Sequence, residues 1–324
     1  MFIDEVVIAV CSGAGGRGCE SYIVRADRKK IPNGGDGGDG GNVILKADPQ
    51  TGSLISLKSK RVFEAERGGL GLGNNRYGKK GRDCIVKVPC GTTIYNKTED
   101  LLIRDLVEPN DEVVVLKGGK GGYGNHARKP VTSGGESKEL ELLLSFKIIA
   151  DIFIVGLPNS GKTALLKYLT GAGVSESEYP FATKSPQLGT YKSNFSQLSL
   201  CELPAIYGAS GEGRGLGTHY LKHLERARLI FFVLDAKSEF VSNLGEGYQI
   251  LFGTIERFKP AFLNIPRLIL VNKADLLDKS EQERKMFPAK EKVYFVSAKK
   301  GAGIDRLMKD AQNLLSQSHE TANS

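Results

Sequence analysis

The chain has 324 residues, of which 40% are hydrophobic and 25% charged, so its length accommodates about two folded domains. This composition excludes a disordered or collagen-like chain, and the five cysteines have no spacing typical of zinc sites. The net charge of +8 at pH 7 indicates a polyanionic partner, although a lysine excess also occurs in proteins that bind nothing acidic. No apolar run is long enough to span a membrane, and we expect a soluble intracellular protein.

The first half of the chain combines short β-branched runs with an excess of glycine. Of the 40 glycines, 25 precede residue 150. Turn residues separate the apolar runs, a pattern typical of β-strands. The expected strands are residues 6–10, 42–45, 84–88, 92–95 and 112–116. An all-β first half follows from this pattern.

The second half alternates apolar runs with helical periods, which is typical of a doubly wound α/β sheet. The expected strands are residues 151–155, 198–200, 229–234, 268–271 and 293–296. The expected helices are residues 163–169, 219–226, 247–258 and 304–315. We therefore predict domains at residues 1–149 and 150–316, followed by a frayed polar tail at residues 317–324.

A phosphate-binding loop follows the first of these strands. Its sequence GLPNSGKT is a complete G-x-x-x-x-G-K-[ST] motif between a strand and a helix, so a chance glycine turn is a remote alternative. Lys162 is expected to neutralise the β- and γ-phosphates, and the Thr163 hydroxyl to ligate Mg²⁺. The expected nucleotide contacts here are Gly156, Leu157, Pro158, Asn159, Ser160, Gly161, Lys162 and Thr163.

Two later motifs favour guanine as the base. Asn272-Lys273-Ala274-Asp275 follows one apolar strand, and Ser297-Ala298-Lys299 follows the next. The Asp275 carboxylate can accept from guanine N1–H and the 2-amino group, a donor pair that adenine lacks. Asn272 would brace the loop, Lys273 would lie along the base, and the Ala298 N–H would reach guanine O6. GTP is therefore favoured over ATP. A P-loop kinase, which would use ATP, is the less favoured alternative.

With these motifs, residues 2 to about 315 resemble the Obg family of GTPases. The runs that carry the resemblance are FIDE (2–5), GGDGGDGG (34–41), KVPCGT (87–92), KGGKGG (117–122), YPFAT (179–183) and LKHLER (221–226). The resemblance implies a multidomain chain. An N-terminal glycine-rich Obg fold, a small β-barrel bearing left-handed type II helices, would precede an α/β Ras-like P-loop GTPase domain. Glycine suits such helices because close neighbours leave no room for side chains.

The resemblance also assigns the two switch segments. Thr183 matches the switch I threonine, which would ligate Mg²⁺ while the γ-phosphate holds the loop closed. Switch II should read Asp-x-Pro-Gly, but this chain has Glu202-Leu203-Pro204-Ala205. Glu202, Pro204 and Ala205 are expected at the nucleotide. The longer carboxylate of Glu202 would weaken metal binding without abolishing it, and the Cβ of Ala205 restricts backbone angles that glycine permits.

Catalysis would depend on Lys162, Thr183 and Asn159, because Ile206 stands where Ras-like enzymes carry a water-positioning glutamine. Asn159 matches the P-loop asparagine that helps to hold an activating K⁺ in related GTPases. The leading hypothesis is a switch with slow hydrolysis of GTP to GDP and phosphate. The alternative, prompted by Glu202 and Ala205, is a nucleotide-binding scaffold that has lost hydrolysis. Arg214 lies near Glu212 in the segment 208–217. We interpret it as a solvated loop arginine in preference to an arginine finger.

The partner implied by the resemblance is the large ribosomal subunit or its precursor, contacted by the N-terminal domain through ribosomal RNA. A basic cluster supports this prediction, with nine Lys or Arg and three acids between Lys58 and Lys87, although charge alone favours an ordinary solvated loop. A monomer is expected, in the cytoplasm of a bacterium or in the mitochondrion or nucleolus of a eukaryote. His219 and His223, four residues apart, make a poor metal site because no further ligand is evident beside them.

Overall fold

The computed structural model describes residues 2–128, 130–171, 184–193, 197–206, 217–277, 287–288 and 291–322, without the side chains of residue 127 and residues 318–322. The chain divides into two compact units, Met1–Lys147 and Ile148–Ser324. The first unit ends near residue 149, where the sequence analysis places a domain boundary. Across the described ranges, no helix is both long and apolar enough to cross a membrane.

The described part of the first unit consists of strands, one short α-helix and a 3₁₀ turn at Asn125–Ala127. They are β1 (Glu5–Cys11), β2 (Tyr22–Val24), β3 (Lys30–Pro32), β4 (Val43–Ala47), α1 (Ile55–Ser59), β5 (Val62–Glu64), β6 (Cys84–Val88), β7 (Thr92–Asn96), β8 (Leu101–Leu106), β9 (Glu112–Leu116) and β10 (Glu139–Phe146). A five-stranded sheet has the order β5-β1-β10-β7-β8, a three-stranded sheet the order β6-β4-β9, and β2 pairs with β3. The five expected strands are confirmed, whereas the others were not expected from the sequence.

Alternating burial explains the central pair of the larger sheet. Val6, Ile8 and Val10 of β1 are buried, and the residues between them are more exposed. The antiparallel register places Ile8 opposite Leu142 of β10, which is also fully buried. This period of two puts one face of each strand into the core.

Close backbone contacts account for the glycine excess of the first unit. The Gly16 N–H donates to the Gly38 carbonyl at 2.8 Å, and the Gly38 N–H donates to the Gly69 carbonyl at 2.8 Å. A Cβ on Gly38 would collide with the Lys79 carbonyl oxygen, and one on Gly16 with that of Gly69. The hydrogen bonds therefore run between neighbouring extended segments, as in polyproline-type bundles, and only glycine fits at these contacts.

The second unit has a single six-stranded sheet flanked by helices. Its elements are β11 (Ala150–Gly156), α2 (Lys162–Thr170), β12 (Gln187–Lys192), β13 (Gln197–Glu202), β14 (Ala227–Asp235), α3 (Leu244–Phe258), β15 (Arg267–Asn272), β16 (Val293–Phe295) and α4 (Ile304–Ala322). The order is β12-β13-β11-β14-β15-β16, parallel except that β12 runs antiparallel to β13. The last residues of β11, β13, β14 and β15 thus share one sheet edge, where open α/β sheets bind ligands.

Two expected helices of the second unit differ in the structure. The helix expected at residues 219–226 is a 3₁₀ segment, Thr218–Arg226, in which residues three apart eclipse one another. The last helix continues to Ala322 instead of ending near residue 315, so the described part of the expected frayed tail is helical. Residues 316–322 contain no glycine or proline, and extending an existing helix costs little.

Candidate nucleotide site

The loop between β11 and α2 makes a tight turn at the sheet edge. A Cβ on Gly156 would collide with the Val233 carbonyl oxygen of β14, so glycine is required where the strand ends. Asn159 and Gly161 have positive φ angles of 58° and 80°. These two left-handed residues bring the amino end of α2 against the loop, where the helix dipole favours an anion.

Lys162, the first residue of α2, is buried at the centre of this loop. Its Nζ donates to the carbonyl oxygens of Leu157 at 2.9 Å and Gly156 at 3.2 Å. Burial lowers the pKa of the Lys162 ammonium from 10.5 to about 8, and the charge of Glu202 acts in the opposite direction. An anion beside the ammonium would favour its charged form, so the site is suited to a highly charged phosphate group.

Two oxygen ligands for a hard cation meet beside Lys162. The Thr163 hydroxyl on α2 donates to Glu202 Oε1 at the end of β13, over 2.7 Å. Glu202 is 1% exposed, so its carboxylate is held in the interior next to the phosphate-binding loop. Mg²⁺ prefers hydroxyl, carboxylate and phosphate oxygens, and this donor set fits it.

Asn272, the last residue of β15, joins the two halves of the candidate site. Its Nδ2 donates to the Ser160 carbonyl at 3.0 Å, and its Oδ1 accepts from the Ala298 N–H at 3.0 Å. A Cβ on Gly161 would collide with the same Nδ2. The brace expected of Asn272 is thus present, whereas the Ala298 N–H assigned to guanine O6 donates to Asn272 in this structure.

The residues expected around the base lie at the ends of β14, β15 and β16. Lys273 has a φ of 60°, and its Nζ pairs with Asp235 Oδ2 at 2.8 Å. A hydrogen bond from Ser297 holds the pKa of the Asp275 carboxyl below its ordinary value, with Lys300, 3.6 Å away, contributing. Asp275 is therefore an anion at neutral pH, as acceptance from guanine requires. Lys299 is exposed beside them.

The segment after β13 is tied to the phosphate-binding strand. The Leu203 N–H donates to the Ile154 carbonyl at 3.0 Å, and the Ile206 N–H donates to the Gly156 carbonyl at 3.2 Å. Pro204, Ala205 and Ile206 are buried, and Ala205 is not among the described non-glycine residues with positive φ. Alanine therefore fits this conformation of the segment without backbone strain.

Known proteins match the chain over nearly all of its length. A family model named GTP1/OBG matches residues 3–141, and a model named 50S ribosome-binding GTPase matches residues 151–273. GTPase Obg of Protochlamydia amoebophila is 36% identical over 99% of both chains, and that of Prosthecochloris aestuarii is 38% identical over 86% of this chain and 88% of its own. The chain belongs to the Obg family of GTPases.

As an Obg GTPase, the chain binds GTP and has the two-part fold that the sequence predicts. A solved structure of Aquifex aeolicus Era bound to GDP and AlF₄⁻ resembles it over 52% of this chain and 56% of that one, with 28% identity and a TM-score of 0.42. That partial likeness adds nothing to the assignment, which rests on the relatives matched along both halves.

Part of the expected Obg switch machinery lies outside the described residues. This applies to Thr183, the switch I threonine, and to Glu212 and Arg214 in the switch II segment. Their roles stay predictions. The P-loop, Glu202 and the guanine motifs, in contrast, converge on the carboxyl edge of one sheet.

Two residues of this Obg site were missed by the sequence analysis. Asp235 ends β14 and pairs with Lys273, while Lys300 pairs with Asp275. Asp235 could have been found, because a carboxylate directly after an apolar strand lies at the sheet edge where open α/β sheets bind ligands. Lys300 carries no such signal, since exposed lysines are common on loops.

Proposed function

We propose that this Obg GTPase is a GTP-operated switch in maturation of the large ribosomal subunit, with slow hydrolysis of GTP to GDP and phosphate. The observation that carries the proposal is the meeting of Thr163 and Glu202 beside the buried ammonium of Lys162. This is the donor set and the charge that Mg²⁺ and a triphosphate require. The description of the second matched family model, 50S ribosome-binding GTPase, supports the large subunit as the partner.

Mg²⁺ would be held by Thr163 and, in the GTP state, by Thr183, with Glu202 as an outer carboxylate. The bound ion would neutralise charge on the β- and γ-phosphates. Lys162 would then exchange its contacts with the Gly156 and Leu157 carbonyl oxygens for phosphate oxygens. The guanine base would be bound by Asp275, Asn272 and Ala298, with Lys273 held along it by Asp235.

Slow hydrolysis follows from the residues that face the phosphate. Ile206 is fully buried and has no group that could orient an attacking water. The remaining contributions come from Lys162, from Thr183 and from Asn159, whose position in the loop suits a role beside an activating K⁺. Such a site lowers the barrier by positioning and charge neutralisation alone.

The proposed RNA surface lies in the first unit, on the basic cluster between Lys58 and Lys87. A groove of about 560 Å³ is lined by Leu70, Leu72, Arg76, Tyr77 and Lys79, among others. Tyr77 is 62% exposed, and its ring meets His126 edge-on at 5.8 Å. An exposed aromatic ring between cations is suited to stacking on RNA bases while the cations bind phosphates.

Not every cation of this cluster is available in the same way. Arg82 pairs with Glu66 at 2.7 Å, Lys87 with Asp48 at 3.0 Å and Lys80 with Asp83 at 3.9 Å. Arg76 and Lys79 form no ion pair with a carboxylate of any described residue. Among the cations of the cluster that have no carboxylate partner in the described ranges, Arg76 and Lys79 line the groove beside Tyr77.

Single-turnover hydrolysis tests the catalytic part of the proposal. The wild type, assayed with Mg²⁺ and K⁺, should turn over slowly, and Glu202→Asp/Ala205→Gly should turn over faster because it restores a shorter carboxylate and a freer backbone. Turnover of many GTP per second by the purified wild type would contradict slow hydrolysis. Turnover in the double variant alone would instead identify the wild type as the scaffold.

Co-sedimentation with ribosomal subunits tests the partner. Binding to large subunits should weaken with rising salt and should differ between GDP and a nonhydrolysable GTP analogue. Binding that depends on neither the salt concentration nor the nucleotide would rule out the switch. Preference for small subunits would overturn the choice of partner.

A further inference from the structure

The carboxylate of Asp235, the last residue of β14, is enclosed, and both of its oxygens are engaged. The Lys237 N–H donates to Oδ1 at 3.0 Å, and the Lys273 ammonium donates to Oδ2 at 2.8 Å. The Asp235 side chain is 4% exposed. Because both oxygens already accept from the protein, Asp235 acts on a bound nucleotide through its partners and not by direct contact.

The backbone around Lys273 is held from both neighbouring strands. Asp235 lies opposite Asn272 in the parallel register of β14 and β15. On the other side, the Ala274 N–H donates at 3.0 Å to the carbonyl of Val296, which directly follows β16. Lys273 turns the chain between these two anchors with a left-handed φ of 60°. The starting point of its side chain is therefore fixed.

Both ends of the Lys273 side chain are thus held before any nucleotide binds. The backbone fixes its Cα, Asp235 fixes its ammonium, and the side chain between them is 31% exposed. A lysine loses much rotamer freedom when it is ordered, and here folding has already imposed that loss. The methylene stem is an apolar edge on which a planar base can pack without a further ordering cost.

A second ion pair of the site has the reverse arrangement. Lys300 Nζ lies 3.6 Å from Asp275 Oδ2, and the lysine is the more exposed partner, at 64% against 15%. In this pair the acid is the group expected at the base, whereas in the first pair it is the cation. A carboxylate acceptor detects the 2-amino group of guanine, but a methylene stem does not distinguish one purine from another.

We propose that Asp235 is a positioning residue for nucleotide binding: it holds Lys273 along the face of the base and so contributes affinity that does not depend on which purine is bound. The inference rests on the proposed placement of the base along Lys273. The contribution is the same for GDP and GTP, because the phosphates lie at the other end of the nucleotide. Asp275 supplies the selectivity for guanine, so the two ion pairs divide affinity and selectivity between them.

Asp235→Asn removes the charge and keeps an oxygen acceptor for the Lys237 N–H. Affinity for GDP should fall about tenfold, as expected for one charge-assisted hydrogen bond. Affinities for a nonhydrolysable GTP analogue and for IDP, whose base lacks the 2-amino group, should fall by the same factor. Asp151→Asn is the matched control, because Asp151 pairs with Arg228 at 2.9 Å near the start of β11 and should change none of the three affinities. Titration calorimetry measures all of them.

A double-variant cycle tests whether Asp235 acts through Lys273. Lys273→Met keeps an apolar stem without the ammonium and should weaken GDP binding by about the same factor as Asp235→Asn. Asp235→Asn/Lys273→Met should bind GDP as tightly as Lys273→Met alone, since the interaction is already lost in the single variant. That comparison does not require Asp235→Asn to fold by itself. Losses that multiply in the double variant would overturn the positioning role.

Comparison of GDP with IDP separates this inference from the proposed guanine site. The wild type should bind GDP more tightly than IDP, and Asp275→Ala should remove that preference. Equal affinities in the wild type would overturn the guanine assignment, and with it the placement of the base on which the inference depends. A GDP preference in the wild type, combined with unchanged affinities in Asp235→Asn or with a larger loss for GDP than for IDP, would overturn the role of Asp235 alone.

Discussion

Lys162 illustrates how one buried residue can serve binding at the expense of stability. Its ammonium is almost fully enclosed, hydrogen-bonded to two carbonyl oxygens, and its pKa is lowered to about 8. A buried cation of this kind costs folding free energy, which a bound triphosphate can offset. Burial of Lys162 therefore favours binding of the triphosphate and lowers the stability of the nucleotide-free protein.

A pH dependence of stability follows from the lowered pKa of Lys162. Between about pH 8 and 10.5 the unfolded chain holds a proton on Lys162 that the folded chain has released, so unfolding free energy rises with pH in this window. Relative to Lys162→Met, which lacks this titration, nucleotide-free wild type should gain on the order of 3 kcal/mol across the window. Urea unfolding of both proteins at several pH values measures the difference; parallel curves would contradict the shift.

Asn272 is the second residue whose role is decided by its contacts. Asn272→Ala removes the hydrogen bonds to Ser160 and Ala298, and we expect a loss of about 1–3 kcal/mol of stability together with at least tenfold weaker GDP binding. Asn243→Ala is the control: Asn243 caps α3 and should cost about 1 kcal/mol without changing GDP affinity. Calorimetry of both variants measures both quantities, and equal GDP affinities would refute the bracing role.

At the level of elements, the glycine segments of the first unit are packed as closely as a hydrophobic core. Their backbones approach so closely that the hydrogen-bonding partner of one glycine is the carbonyl of another, as for Gly16, Gly38 and Gly69. In a globular protein, glycine usually weakens regular structure because its unfolded state has more freedom. Here the close approach between segments compensates for that cost.

Gly38→Ala should therefore be strongly destabilising, because the new Cβ would collide with the Lys79 carbonyl oxygen. We expect a loss of about 3 kcal/mol or more in unfolding free energy, since backbone cannot yield as a side chain can. Gly52→Ala is the matched control: its Cβ would have no atom within 4 Å and should leave stability unchanged or slightly higher. Thermal unfolding of both variants measures the contrast, and similar losses would disprove the packing account.

The elements of the second unit were largely readable from the sequence, and their differences have physical causes. β12 was not expected because Gln187–Lys192 has no run of β-branched or apolar residues and contains a glycine; it is an edge strand without a buried residue. The 3₁₀ form of Thr218–Arg226 depends on anchors at Ala205, Lys184 and Ile148, all distant in sequence. Local periodicity contains no information about such anchors.

At the scale of the whole molecule, charge is distributed according to role. Two cations of the nucleotide site in the second unit pair with acids, Lys273 with Asp235 and Lys300 with Asp275, while Lys162 donates to two carbonyl oxygens. The groove of the first unit instead presents Arg76 and Lys79 beside an exposed aromatic ring. Part of the net charge of +8 therefore lies on the proposed RNA surface, where it can attract phosphates.

Arg76→Ala/Lys79→Ala should weaken binding to single-stranded RNA and reduce the slope of log affinity against log salt by about 1.4, for two phosphate contacts. Lys97→Ala/Lys259→Ala removes the same charge, but both lysines lie outside the basic cluster and pair with carboxylates, so its slope should stay close to that of the wild type. Titrations with labelled RNA at several salt concentrations give the slopes. Equal slopes for the two double variants would rule out the groove as the contact surface.

The nucleotide chemistry and the family were readable in the sequence because each motif is contiguous. A phosphate-binding loop specifies its backbone turns, its ammonium and its hydroxyl within eight residues, and strand and helix patterns flank it. The guanine motifs are equally compact. Contiguous residues keep their relative positions in any fold that retains the local turn, so no tertiary information is needed to interpret them.

The tertiary structure alone decided the contacts between distant residues. Pairing of Lys273 with Asp235 requires β14 and β15 to lie in register, with Asp235 opposite Asn272. The contact of Tyr220 with Lys184, the burial of Lys162 and the collision that excludes alanine at Gly38 likewise depend on which segments become neighbours. These distances are set by sheet register and backbone packing, which sum over the whole chain and are absent from any short stretch of it.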